Sequence, residues 1–476
     1  MTETPSQIAI PRAPIALAQW RSSREQRLTL AAASISYIIV ILDTSIVNVA
    51  LERIAVDLAT NVAGLQWIVN SYTLTFASLL LSGGTLGDRL GIRRTYMLGL
   101  ALFTLASAVC GLSPSFAWLL AGRVLQGVGA ALLVPCSLAL LHHAYPDFTA
   151  RSKAIALWAG CGAVALAAGP LVGGLLIDLF DWRSIFLVNI PIGLMGLGLT
   201  SLANEVQHQR SPRQFDLPGQ FMAIVGLVSF VSALIEGPSF GWRSPVIVGD
   251  MMVAIVAWAS FLVIESRRRE PMLPLAFFRD PPFSAVAFIS VIGMGCFFGL
   301  LFVFSLYFQQ VRGYSPIETG VALLPFTVAV SCGNMLSGHF AKTCGPRFLI
   351  IAGSLTQIAG YLGMLAAAGA SYLALALPLV AIGLGSGIRT PASATALMAT
   401  VERSRSGIAS AVLNVSRQVG VAIGVAVFGA LISGPLHLVD GMTVCLWIAT
   451  CLTAVGAFVV GCAMPGAVAG EPSLPR

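Results

Sequence analysis

The chain has 476 residues, 57% of them hydrophobic and only 10% charged, with a mean hydropathy of +0.87. A soluble domain carries about 25% charged residues, so this composition excludes a protein that covers a water-facing surface with its own side chains. The net charge of +7 is spread through short segments and forms no single stripe, which argues against a nucleic-acid partner.

Apolar runs of about twenty residues are long enough to cross ~30 Å of hydrocarbon. They predict helices near 29–50, 63–83, 95–112, 116–141, 154–177, 185–203, 217–236, 245–264, 283–308, 318–340, 348–368, 371–391, 407–432 and 441–463. No small-residue cleavage site follows the first run, so it reads as a retained helix and not a signal peptide. Fourteen crossings put both ends on one side.

The basic residues test that count. The N-terminus and the segments after helices 2, 4, 6, 8, 10 and 12 hold Arg12, Arg21, Arg24, Arg27, Arg89, Arg93, Arg94, Arg151, Lys153, Arg210, Arg213, Arg267, Arg268, Arg269, Arg279, Lys342, Arg347, Arg403 and Arg405. The opposite segments hold only Arg53, Arg183, Arg243 and Arg312. By the positive-inside rule, both termini are expected in the cytoplasm, with the chain in the cytoplasmic (inner) membrane.

Gly84, Asp88, Gly91 and Arg93 after helix 2 recur in spacing as Gly338, Lys342, Gly345 and Arg347 after helix 10. Helices 1–6 would then correspond to helices 9–14. The expected fold is an all-α membrane protein of two pseudo-symmetric six-helix bundles plus two inserted helices. The expected divisions are a tail at 1–28, a first bundle at 29–203, the inserted helices and linkers at 204–282, a second bundle at 283–463 and a tail at 464–476. Repeated halves around a midplane site are a common transporter plan.

Four motifs sharpen the reading: Leu42-Asp43-Thr44-Ser45-Ile46-Val47-Asn48-Val49-Ala50-Leu51, Gly84-Thr85-Leu86-Gly87-Asp88-Arg89-Leu90-Gly91-Ile92-Arg93-Arg94, Arg123-Val124-Leu125-Gln126-Gly127 and Gly169-Pro170-Leu171-Val172-Gly173-Gly174. With these the sequence resembles the major facilitator superfamily, in particular its fourteen-helix drug:proton antiporter branch, over nearly the whole chain. One departure stands out: the helix 1 motif usually ends in proline, and here that position is Glu52.

Asp43 is the most informative residue. A carboxylate inside an apolar helix costs a few kcal/mol, so it needs a partner, a water-filled cavity or a proton. Burial disfavours its charge and a nearby cation favours it, and a group poised between the two can exchange a proton for substrate. Arg123 is the natural partner, since both residues are expected ~10 Å below the outer surface. The resemblance assigns this arginine to proton coupling; the alternative is a static ion pair.

Gly84, Gly87 and Gly91 permit close helix contact and tight turns. The resemblance makes this segment, with Asp88, Arg89, Arg93 and Arg94, a cytoplasmic latch. In helix 5, Gly162, Gly169 and Gly173 share one face, Gly174 adjoins it, and Pro170 adds a bend. Residue chemistry alone gives a tight interface there, and the resemblance adds export. Asn70, Tyr72, Asn334, Asn414, Arg417 and Gln418 are candidates for a substrate cavity, with interhelical hydrogen bonding as the alternative for the amides.

The segment Asp181–Pro191 reads as structural anchoring at the outer interface. The cysteines lack disulfide or zinc spacing and read as small core residues. The two lysines, Lys153 and Lys342, sit in no phosphate-binding loop, which weighs against an ATP-driven pump. With no metal-ligand spacing either, neither an enzyme nor a cofactor is expected. The expectation is a proton-gradient-driven exporter of small lipophilic or cationic compounds. The partners are an amphipathic substrate, protons and lipid; the oligomeric state stays open, a monomer included. A dedicated exporter of one metabolite is the main alternative, ahead of an importer or a membrane sensor.

Overall fold

The computed structural model describes residues 15–202, 216–268, 271–367, 369–402, 405–433 and 438–465. Arg12, Arg210, Arg213, Arg269 and Arg403 of the basic set lie outside these residues, as do most of the two tails.

Fourteen long helices run through the described residues. The first bundle contains α1 (Ile15–Asp57), α2 (Val62–Leu90), α3 (Ile92–Gly111), α4 (Phe116–Ala144), α5 (Phe148–Leu179) and α6 (Ser184–Leu202). Then come α7 (Leu217–Phe240) and α8 (Pro245–Arg267). The second bundle contains α9 (Pro281–Val311), α10 (Pro316–Ala341), α11 (Thr343–Ala366), α12 (Tyr372–Ala399), α13 (Ser406–Ser433) and α14 (Leu438–Ala463). Thirteen of these are long and apolar enough to cross a membrane. The exception is α2, whose polar residues Gln66, Asn70, Ser71 and Thr73 are buried by protein, so it needs no apolar coat against lipid. Large side chains such as Leu98, Leu105, Phe221, Ile255, Val256 and Phe458 are exposed, as suits a chain solvated by lipid tails. This is a multi-pass membrane protein.

Several boundaries differ from the sequence reading. Helix α1 begins at Ile15, inside the segment expected as a tail, and continues to Asp57. Arginine, glutamate and glutamine are good helix formers, so the end of an apolar run does not end a helix. For the same reason α2 extends to Leu90. Gly84, Gly87, Asp88 and Arg89 therefore lie in a helix, and the turn before α3 is Gly91 alone, at φ 100°. Its counterpart Gly345, at φ 71°, kinks the long stretch Pro316–Ala366 two residues into α11. Both conformations favour glycine, so the repeat seen in the sequence reappears in the backbone.

The repeat extends to side chains. Arg93, at the start of α3, donates to the carbonyls of Thr200 (2.9 Å) and Ser201 (3.2 Å) at the end of α6. Arg347, at the start of α11, donates to the Gly461 carbonyl at the end of α14 (2.6 Å). Each arginine caps the open carbonyls of a helix C-terminus.

The inserted helices differ in their packing. Helix α8 leans only on α7, whereas α7 lies over the line where α2 meets α13. Its polar contacts go to α2: Glu236 accepts from Trp67 Nε1 (2.8 Å), and Gln220 bonds Ser78 and Ser82. Toward α13 it presents Leu227, Val231 and Ile235 to Ala422 and Ala426. Finally, Cys332, Cys451 and Cys462 are exposed on helix surfaces, unlike the core cysteines expected, because the outside of this protein is itself apolar.

Candidate functional site

Asp43 on α1 and Arg123 on α4 meet inside the first bundle, with Nη1 2.5 Å from Oδ2 and side chains 0% and 1% exposed. The matched depths inferred from the sequence bring them together. The pair is part of a larger network. Oδ1 of Asp43 also accepts from Gln126 Nε2 (3.1 Å) and Asn189 Nδ2 (3.3 Å). Gln126 lies one turn beyond Arg123 on the same helix face; its Oε1 accepts from Arg123 Nη1 (2.8 Å), and its Nε2 reaches Ser107 Oγ (2.8 Å). Arg123 Nε donates to the Ile68 carbonyl (3.1 Å), and its guanidinium lies 4.4 Å from the centre of the Tyr72 ring.

Sequence reasoning missed Gln126, Ser107 and Asn189 as members of this site. Asn189 fell in the segment read as anchoring. The signal available was position: it is a polar side chain within the apolar run of α6, and its amide reaches Asp43. The anchoring itself is present nearby. Arg183 reaches Asp57 (3.0 Å) and Asp181 (2.8 Å), and Trp182 Nε1 donates to Asp57 (3.0 Å).

The cavity candidates separate. Tyr72 is fully buried beneath Arg123, and its ring gives the cation an apolar support. Asn70 is also fully buried, with both side-chain polar atoms unpaired among the described residues. Asn414 donates to the Ser410 carbonyl one turn back (3.1 Å), while Asn334 and Gln418 are half-buried. Arg417 lines a small cavity, with Ser290, Met294, Arg389, Thr390 and Ser393.

The glycine face of α5 packs within the first bundle. A Cβ at Gly162 would strike Tyr37, one at Gly169 would strike Ser45, and one at Gly173 would fall 2.7 Å from Ile46 Cγ1. Gly174 instead faces α10, against the Pro316 carbonyl and Ile317, and the Pro170 carbonyl lies against Gly320. Of the segment expected as a latch, Gly87 faces Cys136 on α4, and Arg93 is committed to α6. Asp88 and Arg89 are half-buried and Arg94 is exposed.

The bundles meet along a seam fastened on the face opposite the basic segments. There Ser305 Oγ donates to the Asn48 carbonyl (2.6 Å), Gln309 to that of Val49 (3.2 Å), and Gln66 to those of Val425 (3.0 Å) and Ala426 (2.7 Å). Between α5 and α10, Thr327 donates to the Ala167 carbonyl (3.1 Å) and Ser331 to that of Ala163 (3.3 Å). One apolar cluster joins Ile46, Val49 and Ile54 of α1 to Phe297, Phe304 and Phe308 of α9 and Phe326 of α10. On the basic side, α4 and α12 do not pack together as α1 and α9 do.

Two helical bundles around a polar seam, closed at one end and carrying a sealed ion pair to one side, define a two-bundle membrane transporter. The family model of the Major Facilitator Superfamily matches residues 33–425 and 326–473, and the chain belongs to that family. It is 39% identical over 416 residues to the "Multidrug resistance protein Stp" of Mycobacterium tuberculosis, covering 86% of this chain and 76% of that one. It is 37% identical over 402 residues to the "Methylenomycin A resistance protein" of Bacillus subtilis, covering 84% and 86%. Among solved structures, the POT family transporter PepTSo shares the fold, with a TM-score of 0.67 at 14% identity over 92% of this chain and 98% of that one.

Proposed function

We propose that the protein is a proton-coupled exporter of small amphipathic compounds, working by alternating access in the cytoplasmic membrane with both termini in the cytoplasm. Its relatives named for resistance support removal from the cell as the direction of transport. The observation that carries the coupling is the sealed Asp43 network beside the seam. Every contact to the Asp43 carboxylate comes from an N–H donor, on Arg123, Gln126 or Asn189, as an ionised carboxylate requires, since it accepts only.

In this reading the fastened face is the outer one. When it opens, Asp43 takes a proton from outside, and its grip on Arg123 slackens. Rearrangement of α1 against α4 then favours return to the conformation described here, in which the proton leaves towards the cytoplasm. Arg123 stays charged throughout and draws the carboxylate back to its ionised state. Asp88 with Arg89 and Arg94 remains the candidate latch for the other half of the cycle, while Arg93 braces its own bundle.

The test is efflux of a preloaded fluorescent amphipath from re-energised cells, comparing wild type with Asp43→Asn at matched membrane expression, each with and without a protonophore. Efflux that the protonophore abolishes and Asp43→Asn lacks supports proton-driven export through this carboxylate. A variant that pumps at the wild-type rate makes the ion pair structural.

A further inference from the structure

The second bundle also holds arginines within its spans, in a different electrostatic setting. Arg389 on α12 is 2% exposed; its Nη1 donates to Gln357 Oε1 (2.5 Å), and Gln357 in turn donates to the Tyr361 hydroxyl (3.3 Å). Arg417 on α13 donates to the Thr390 carbonyl (3.0 Å). Among the described residues neither arginine has a carboxylate within ion-pair distance. In the first bundle, Arg123 of α4 is answered by Asp43 of α1. In the second, α9 places Gly293 against the Arg389 guanidinium, where any Cβ would overlap it.

Arg389 and Arg417 line one cavity of about 10 Å³ with Ser290, Met294, Thr390 and Ser393, room for about one water as it stands and about 15 Å from the basic ends of α9, α12 and α13. Ser393 is 2% exposed, and its Oγ has no hydrogen-bond partner. Two like charges at this depth oppose each other and oppose burial. As mere ties between helices they would be ill chosen, since a glutamine could make either bond. Each guanidinium has five N–H donors, and the bonds to Gln357 and Thr390 engage one of each. Unspent donors, uncompensated positive charge and an unpartnered hydroxyl converge on one space. Across the seam, Tyr37 of α1 lies within electrostatic range of Arg417 and stacks on Trp158 at 3.9 Å, an aromatic surface suited to the apolar body of an amphipath.

We propose that Arg389, Arg417 and Ser393 form an anion subsite on the transport route, which widens when the bundles part and then takes the carboxylate-type acidic group of an amphipathic substrate. The proposal rests on the export reading and reverses the cationic preference expected from the sequence. It has an energetic consequence. Exchange of one proton for a monocation moves no net charge, whereas exchange for a monoanion carries positive charge inward, so the membrane potential drives it directly.

The experiment uses the full chain in phosphatidylcholine nanodiscs and three matched probes: naphthoate, its methyl ester and naphthylmethylammonium. Calorimetry is expected to show naphthoate binding at least tenfold tighter than either control. Arg417→Gln and the cavity-filling Ser393→Val each weaken it about tenfold or more, and Arg417→Lys retains most of it. Ser393→Val keeps the test decisive if the arginine variants fold poorly. Equal affinity for the three probes, or undiminished naphthoate binding in both Arg417→Gln and Ser393→Val, overturns the proposal.

Proteoliposomes with an imposed proton gradient and membrane potential then separate the two readings. If the ammonium probe is driven and naphthoate is neither bound nor moved, export stands and the anion subsite falls. If naphthoate binds through these residues but nothing is driven, the subsite stands and export falls. Displacement of naphthoate by phosphatidylglycerol, with no naphthoate transport, assigns the site to a lipid headgroup and overturns its role on the substrate route.

Discussion

Glu52, near the end of α1, accepts a hydrogen bond from Gln310 in the last turn of α9, 2.5 Å across the seam. Helix 1 motifs similar to this one usually end in proline at that position. Here α1 continues straight to Asp57 and uses the side chain to clasp the opposite bundle. A residue type that bends a helix has given way to one that bridges two.

The first prediction concerns that clasp. It is solvent-exposed, so its net contribution is at the low end for a hydrogen bond, about 0.5–1 kcal/mol. Gln310→Ala or Glu52→Ala should therefore raise the population opened on that face about two- to fivefold. Spin-label distances between the ends of α1 and α9 check this, and an unchanged distance distribution would count against the clasp.

The second concerns Asn189. Its amide donates to Asp43 (3.3 Å), and hydrogen bonds to charged groups contribute about 1.5–3 kcal/mol. Asn189→Leu should reduce the maximal rate of proton-driven efflux about tenfold and leave the half-saturating substrate concentration within twofold. A change mainly in that concentration would place Asn189 on the substrate instead.

Arg93 and Arg347 provide a matched pair. Each ties the third helix of its bundle to the sixth, through the carbonyls of Thr200 and Gly461. Arg93→Ala and Arg347→Ala should each lower stability by about 1–2 kcal/mol, seen as similar falls in melting temperature in detergent. If Arg93→Ala left stability intact and instead shifted the opening equilibrium, the latch role expected for Arg93 would be supported.

Glycines in α5 should respond by position. Gly169→Ala drives a methyl group into Ser45, so separation of α1 from α5 and loss of folded protein are expected. Gly160 has open space around its would-be Cβ, so Gly160→Ala should be neutral or stabilise by up to about 1 kcal/mol. Folded yield by size-exclusion chromatography distinguishes them.

The fold was legible because lipid demands long apolar runs and the loops between them sort charge by side; both signals survive in a bare sequence. The Asp43–Arg123 pair was legible because intramembrane charges are few and depth follows from residue count. What escaped was chemistry shared by many positions. Gln126, Ser107 and Asn189 carry ordinary amides and a hydroxyl, whose partners depend on helix rotation. Arg389 escaped because it follows Gly383, Gly385 and Gly387, whose backbones pack against Phe326, Gly353 and Val330 and give the stretch the look of a plain helix contact. The latch segment was placed in a loop because the apolar run stops at Gly83, although nothing halts the helix before Gly91.

The asymmetric footing of α7 bears on how the halves rock. All its hydrogen bonds to the bundles, among the described residues, go to α2, through Trp67, Ser78 and Ser82. Against α13, among the described residues, its contact is apolar, with Ala422, Ala426 and Val419. A dry aliphatic surface can slip by a few ångströms without stranding a donor or acceptor, whereas a hydrogen-bonded one cannot. If the halves rock as proposed, the inserted pair is expected to ride with the first bundle and glide along the second, a greased flange that keeps lipid tails out of the opening seam.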